Sequence, residues 1–96
     1  MKIEYHPRVV DDIRNAEIYY IKFQSGLFRA FRSEFIQVLD RIIENPYLYA
    51  EANGLRRALL RNFPFSIVYR VIDNEAIRVL LVRHHRRHPE FRRERD

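Results

Sequence analysis

The chain has 96 residues, 18 Lys or Arg against 13 Asp or Glu, a formal net charge of +5 and no cysteine. Such a length holds a single domain, residues 1–96, and an apolar share of 47% with 7 Phe and 6 Tyr is enough for a core and too much for a disordered chain. The lack of cysteine excludes disulfides, thiolate metal sites and cysteine nucleophiles, and 2 glycines leave no glycine-rich phosphate loop.

Met1 to Tyr5 alternates Ile3 and Tyr5 against Lys2 and Glu4, which predicts a first or edge strand. Glu4, His6, Arg8, Asp11 and Asp12 also interrupt any leader-like apolar stretch. No run reaches the roughly 18 apolar residues of a membrane span, so a soluble cytoplasmic protein is expected. Pro7 suits the opening of a helix. Val9, Ile13, Ala16, Tyr20 and Phe23 then recur in steps of three and four, predicting a helix over 8–23, with Asp11 and Asp12 at the positive end of its dipole.

Ser25-Gly26 breaks that pattern. A second helix is predicted over 27–44, where Phe28, Phe31, Phe35, Val38, Leu39, Ile42 and Ile43 form the strongest periodic signal in the chain. Asn45-Pro46 stops it. The short connection makes the two helices an antiparallel hairpin, and the Phe stripe is read as core, with Tyr19 and Phe28 able to reach a partner.

Residues 46–54 read as a loop carrying Tyr47 and Tyr49. Strands are predicted over 56–61, 65–72 and 76–83, with Asp73-Asn74 as the turn between the last two. Phe65, Ile67, Tyr69 and Val71 form an apolar face assigned to the helices. Ser66, Val68, Arg70 and Ile72 form an open face with Arg70 at its centre. A two-residue Asp73-Asn74 turn pairs 72 with 75 and 70 with 77, which puts Arg83 on the open face and His84 on the other. A three-residue turn reverses this and sets Arg70 near Arg78, a disfavoured like-charge pair. The sequence leaves the register open.

The expected fold is α+β: an N-terminal strand, a two-helix hairpin, a three-stranded antiparallel segment and a basic C-terminal tail. Charge follows that division. Residues 1–54 carry a net −1 and residues 55–96 a net +6, and 16 of the 18 cations are Arg, whose planar fork grips phosphate or carboxylate with two hydrogen bonds. A basic sheet surface points to an anionic partner, nucleic acid or an acidic protein segment. Adjacent His84 and His85 would point to opposite faces of a strand, and no other spacing makes a ligand set, so neither a metal nor a cofactor is expected.

The element order, the run FPFSIVYRV at 63–71, the run RVLLV at 78–82 and the terminal His84-His85-Arg86-Arg87-His88-Pro89 resemble the RelE/ParE superfamily of bacterial toxins from type II toxin–antitoxin systems, over nearly the whole chain. The resemblance implies a toxin that arrests growth and is held inactive by a small antitoxin, in a hetero-oligomer. One branch cleaves mRNA in the ribosomal A site; the other poisons DNA gyrase.

For the nuclease branch, Arg61, Arg70 and Arg86 would clamp the phosphate, and His84, His85 or His88 would move protons, with His84 and Arg86 the principal candidates beside Arg61 and Arg70. That branch usually has an Arg after the aromatic that opens the penultimate strand. Here the position is Ser66, and Phe91 lies near the place where the branch often has a Tyr. Ser66 and the 63–71 run are closer to the ParE-type and plasmid-stabilisation members, so the gyrase branch is favoured. The mRNA endoribonuclease and a non-catalytic nucleic-acid-binding module are the alternatives. The surface expected to meet nucleic acid or the antitoxin comprises Arg56, Arg57, Arg61, Arg70, Arg83, Arg87 and Phe91, with helix Phe and Tyr side chains completing an antitoxin groove for an acidic amphipathic segment.

Overall fold

The computed structural model describes residues 1–86. Strand β1 (Lys2–Tyr5) leads into helices α1 (Val9–Ile21) and α2 (Leu27–Glu44), followed by β2 (Glu51–Ala52), β3 (Leu55–Leu59), β4 (Phe65–Asp73) and β5 (Ala76–His84). The strands form one sheet in the order β1-β5-β4-β3-β2. The expected α+β order is present, and the helix bounds of α2 match the periodicity.

Two features of the sheet differ from expectation. β1 joins it as a parallel neighbour of β5, Lys2 beside Ala76 and Tyr5 beside Val79, so the sheet is mixed. And the loop at 46–54 contains a hairpin, β2 against β3, closed by Asn53 at φ 56° and Gly54 at φ 80°. Both turn residues occupy the left-handed region, which Asn-Gly supplies at low cost. That dipeptide was the signal for the missed strand.

The helices pack on one face. The steps of α1 bury Val9, Ala16 and Tyr20, and those of α2 bury Phe31, Val38, Leu39 and Ile42. Phe31 is fully enclosed; its ring centroid lies 4.9 Å from Phe65 and 5.6 Å from Phe63, both edge-to-face. Offset aromatic contacts of this kind add about 0.5–1.5 kcal/mol each beyond their burial. Phe65, Ile67 and Tyr69 of β4 complete this core, on the face the alternation assigned to them. Phe23, by contrast, ends up outside α1 and 66% exposed.

Polar side chains tie the layers together. The hydroxyl of Tyr69 donates to the Pro46 carbonyl at 2.7 Å, and Arg56 Nη1 donates to the Tyr49 carbonyl at 2.6 Å, so β4 and β3 both hold the chain that leaves α2. Burial pushes the Tyr69 phenol up to about 12, with Arg56 opposing and Tyr49 adding to the rise. On α2, the Glu34 carboxylate accepts from the backbone N–H groups of Arg61 and Asn62 and from Asn62 Nδ2. Desolvation raises this carboxyl, but those hydrogen bonds and the Arg61 charge outweigh it, so the net position is below the ordinary range.

The β4–β5 register carries two bulges. The turn residues are Asn74 and Glu75, with Asp73 opposite Ala76 and Asp73 Oδ1 accepting the Glu75 N–H. Ile72 on β4 and Leu80 on β5 each lack a direct partner. Arg70 therefore lies opposite Arg78, the pairing expected to be disfavoured. It is tolerated because Arg78 also faces Glu4 across the β1–β5 ladder, with Nη1 to Oε1 at 3.5 Å. Past Leu80 the second bulge restores the other alternation: Ser66 faces Arg83, and Phe65 faces His84.

A candidate anion-binding face

The sheet face turned away from the helices carries Arg57 of β3, Ser66, Val68 and Arg70 of β4, and Leu81 and Arg83 of β5. Its centre is apolar rather than open. Val68, Leu80 and Leu81 are buried there, with Leu55 packed against them, as a second small core. The Leu80 bulge helps to build it. Arg70 and Arg83 lie over this patch with their Nε atoms out of solvent, in the manner of long cationic side chains that cover apolar surface while presenting a charged end.

At one end of the face, Ser66 Oγ and His85 Nε2 share a hydrogen bond of 2.8 Å. The His85 backbone N–H donates to the Pro64 carbonyl at 2.9 Å, which fixes the main chain that carries the ring. Desolvation first, then the charges of Arg83 and Arg57, hold the His85 imidazole below its ordinary value. The ring is therefore mainly neutral at neutral pH and sits under the field of two guanidinium groups from the flanking strands. Beside them runs a groove of about 440 Å³, lined by Leu55, Arg57, Val68, Arg83 and the β2 residues Glu51 and Ala52.

The other expected site residues are dispersed. His84 is 7% exposed and packs edge-to-face on Phe65 at 4.9 Å, on the helix side of the sheet; its Nδ1 accepts the Arg86 N–H. Arg61 lies in the β3–β4 connection beside Glu34. Arg56 faces the helix side opposite Tyr69, with Nη2 3.6 Å from Glu51 Oε1 and its guanidinium over the Tyr47 ring. Arg56 thus holds the loop. Arg70 belongs to the outer face, nearer its Glu4 end than its His85 end. Arg87, His88 and Phe91 lie outside the described residues. The structure brings Arg57, Arg83, Ser66 and His85 together, and the residue that sequence reasoning underweighted is His85. The alternation of a strand ending at His84 was the available signal, but its direction depended on the bulges.

A second cleft, of about 260 Å³, lies between α1 and β5 and is lined by Asp12, Tyr19, Lys22, Phe65 and His84. Asp12 is buried there, and its Oδ2 accepts the Val82 N–H at 3.0 Å, at a point on β5 that β1 does not reach. It serves the sheet more than the helix dipole to which its position in the first turn assigned it.

The model of the family described as the ParE toxin of type II toxin–antitoxin system, parDE, matches residues 3–89. Among solved structures, a chain of the chromosomal ParDE TA system from P. aeruginosa superposes with a TM-score of 0.72, covering 88% of this chain and 95% of that one at 17% sequence identity, a likeness that shows the fold. No curated protein matches the chain.

Proposed function

Since the chain belongs to the ParE family of toxins of type II toxin–antitoxin systems, a family known as gyrase poisons, we propose that its target is DNA gyrase, which it traps on cleaved DNA to arrest growth in the bacterial cytoplasm. Among the described residues no helix is long and apolar enough to cross a membrane. The family match over 3–89 carries this reading. Ser66 supports it. The residue stands where the ribonuclease branch usually has an Arg, is fully buried, and has its hydroxyl engaged by His85.

Cleavage of RNA at a 2′-hydroxyl needs a base, an acid and a phosphate clamp around one phosphate. Arg61, Arg70 and His84 do not converge in that way: Arg61 lies beside Glu34, Arg70 on the outer face and His84 on the helix side. Among the described residues, Arg57, Arg83 and His85 are the group that stands close together for a ribosome-dependent nuclease.

ParE toxins pair with a ParD antitoxin. For this chain the partner is a small antitoxin with an acidic, amphipathic C-terminal segment. The outer side of α1 exposes Val10, Ile18 and Ile21, and the sheet face on the other side of the molecule carries Arg57 and Arg83. A segment that wraps from the helix layer to the outer sheet face would meet the apolar surface first and the cationic one second. A co-purified complex in which these residues stay solvent-exposed contradicts that docking.

The test of the target is a gyrase cleavage assay with supercoiled plasmid, paired with primer extension on cellular mRNA after induction. Toxin-dependent linear DNA after denaturation, with intact transcripts, is the expected result. Intact plasmid together with new 5′ ends at defined codon positions overturns it in favour of mRNA cleavage.

A further inference from the structure

We propose that Arg57, Arg83 and His85 form a phosphate-binding site on the outer sheet face, at the end of the groove floored by Leu55 and Val68. The inference is independent of the gyrase reading, because it concerns what the isolated chain binds.

The placement comes from the ladder. Arg57 pairs with Val68 and Arg83 pairs with Ser66, so the two guanidinium groups approach from opposite sides of β4. Their Cα positions are two strand spacings apart across the sheet, about 9.5 Å, and offset by about 7 Å along it. Two extended Arg side chains reaching inward close that distance around an object the size of a phosphate. His85, whose Nε2 shares a hydrogen bond with Ser66 Oγ and whose backbone N–H donates to the Pro64 carbonyl, keeps Nδ1 as its remaining ring nitrogen, and protonated there it supplies a third donor.

Three donors from three directions fit a tetrahedral anion better than a planar carboxylate, whose two oxygens a single Arg fork satisfies. Charge favours the same choice. Among the described residues, the groups that face His85 from its neighbours are Arg57 on β3 and Arg83 on β5, both cationic, with neutral Ser66 between them and Arg86 next along the chain. Glu51 at the far side of the groove is paired with Arg56. Burial first, and then the two guanidinium charges, disfavour the charged ring. An anion between the two Arg residues offsets the second of these, so its arrival favours proton uptake by His85, and the imidazolium then faces the anion's second charge. The apolar floor beside the cations leaves room for the rest of a phosphate ester.

The experiment follows the His85 ring resonances of the full chain by NMR during titration with sodium phosphate, with sodium acetate at matched ionic strength as the control. Saturable shifts with phosphate, and a His85 titration midpoint that rises when phosphate is saturating, are expected. Arg57→Gln and Arg83→Gln should each weaken binding by about tenfold, the loss of a charge-assisted contact. Arg57 is exposed, so its variant carries the test if Arg83→Gln does not fold. Displacement of phosphate by a single-stranded DNA or an RNA oligonucleotide identifies a nucleic-acid source, and saturation without displacement identifies the free anion; both support the site. Equal saturation by acetate marks a carboxylate site for an acidic peptide and overturns the proposal. Shifts linear in phosphate, or affinity unchanged in Arg57→Gln, overturn it as well.

Discussion

Arg70 on β4 and Arg78 on β5 face each other directly across the ladder, and the pair is held by a third residue, Glu4 on β1, 3.5 Å from Arg78. Like charges opposite one another in a sheet are unfavourable by a few tenths of a kcal/mol or more. Here the first strand of the chain supplies the compensating charge 74 positions away in sequence. Glu4→Gln should therefore destabilise the fold by about 0.5 kcal/mol in urea melts at low salt, and raising the salt should shrink the difference. Arg78→Gln in the Glu4→Gln background should recover part of the loss. A double variant less stable than the sum of the singles contradicts the arrangement.

Asp12 accepts the Val82 N–H on the side of β5 where the β1 ladder has ended. Asp12→Ala strands a buried backbone donor, which costs about 1–3 kcal/mol. Chemical denaturation of the purified chain measures it. Asp12→Asn keeps an acceptor at the same place and should lose clearly less. Equal losses in the two variants would show that the carboxylate's charge, and not the Val82 contact, is what matters.

Tyr69 joins the core of the sheet to the Pro46 carbonyl, in the chain that leaves α2. Removal of its hydroxyl in Tyr69→Phe leaves the Pro46 carbonyl without that donor and should cost about 1 kcal/mol, with the ring packing intact. The accompanying signature is spectroscopic. The folded protein should lose one phenol that resists ionisation until about pH 12.

The pH dependence near neutrality has a definite sign. His85 is held below its ordinary value in the folded chain by desolvation and by Arg83 and Arg57. The unfolded chain therefore binds the proton more readily. Stability is unaffected by this group above the unfolded value, falls as pH drops below it, and reaches its full penalty below the folded value. Melting temperatures from pH 8 to pH 5 should decline, and His85→Gln should flatten the part of that decline nearest pH 6. An unchanged profile in the variant would assign the decline to other groups.

Much of the fold could be read without coordinates because it rests on local periodicity. The steps of three and four from Phe28 to Ile43 place Phe31, Val38, Leu39 and Ile42 on one buried stripe. The alternation of Phe65, Ile67 and Tyr69 puts them against it. Such patterns are written into neighbouring residues, so they survive without knowledge of the rest of the chain. The short β2 strand was legible too, in Asn53-Gly54, but two residues of strand carry no periodicity of their own.

The outer face was less legible, since its character depends on pairings across the sheet. Read as an alternation, Val68 belongs to an open surface. In the structure it joins Leu80 and Leu81 in a buried patch that exists because β5 bulges at Leu80. His84 and His85 look equivalent in the sequence, yet one packs on Phe65 and the other binds Ser66.

The sequence by itself determined the order of the elements, the helical hairpin, the apolar face of β4, the concentration of Arg in the second half and the resemblance to the toxin superfamily. Only the tertiary structure decided that β1 lies parallel to β5, that Arg70 meets Arg78, that Asp12 serves a strand, and that His85 rather than His84 stands between Arg57 and Arg83. The physical reason is parity. Each bulge moves every later side chain to the opposite face, and a bulge is set by what a strand meets across the ladder, not by the residues beside it in the chain.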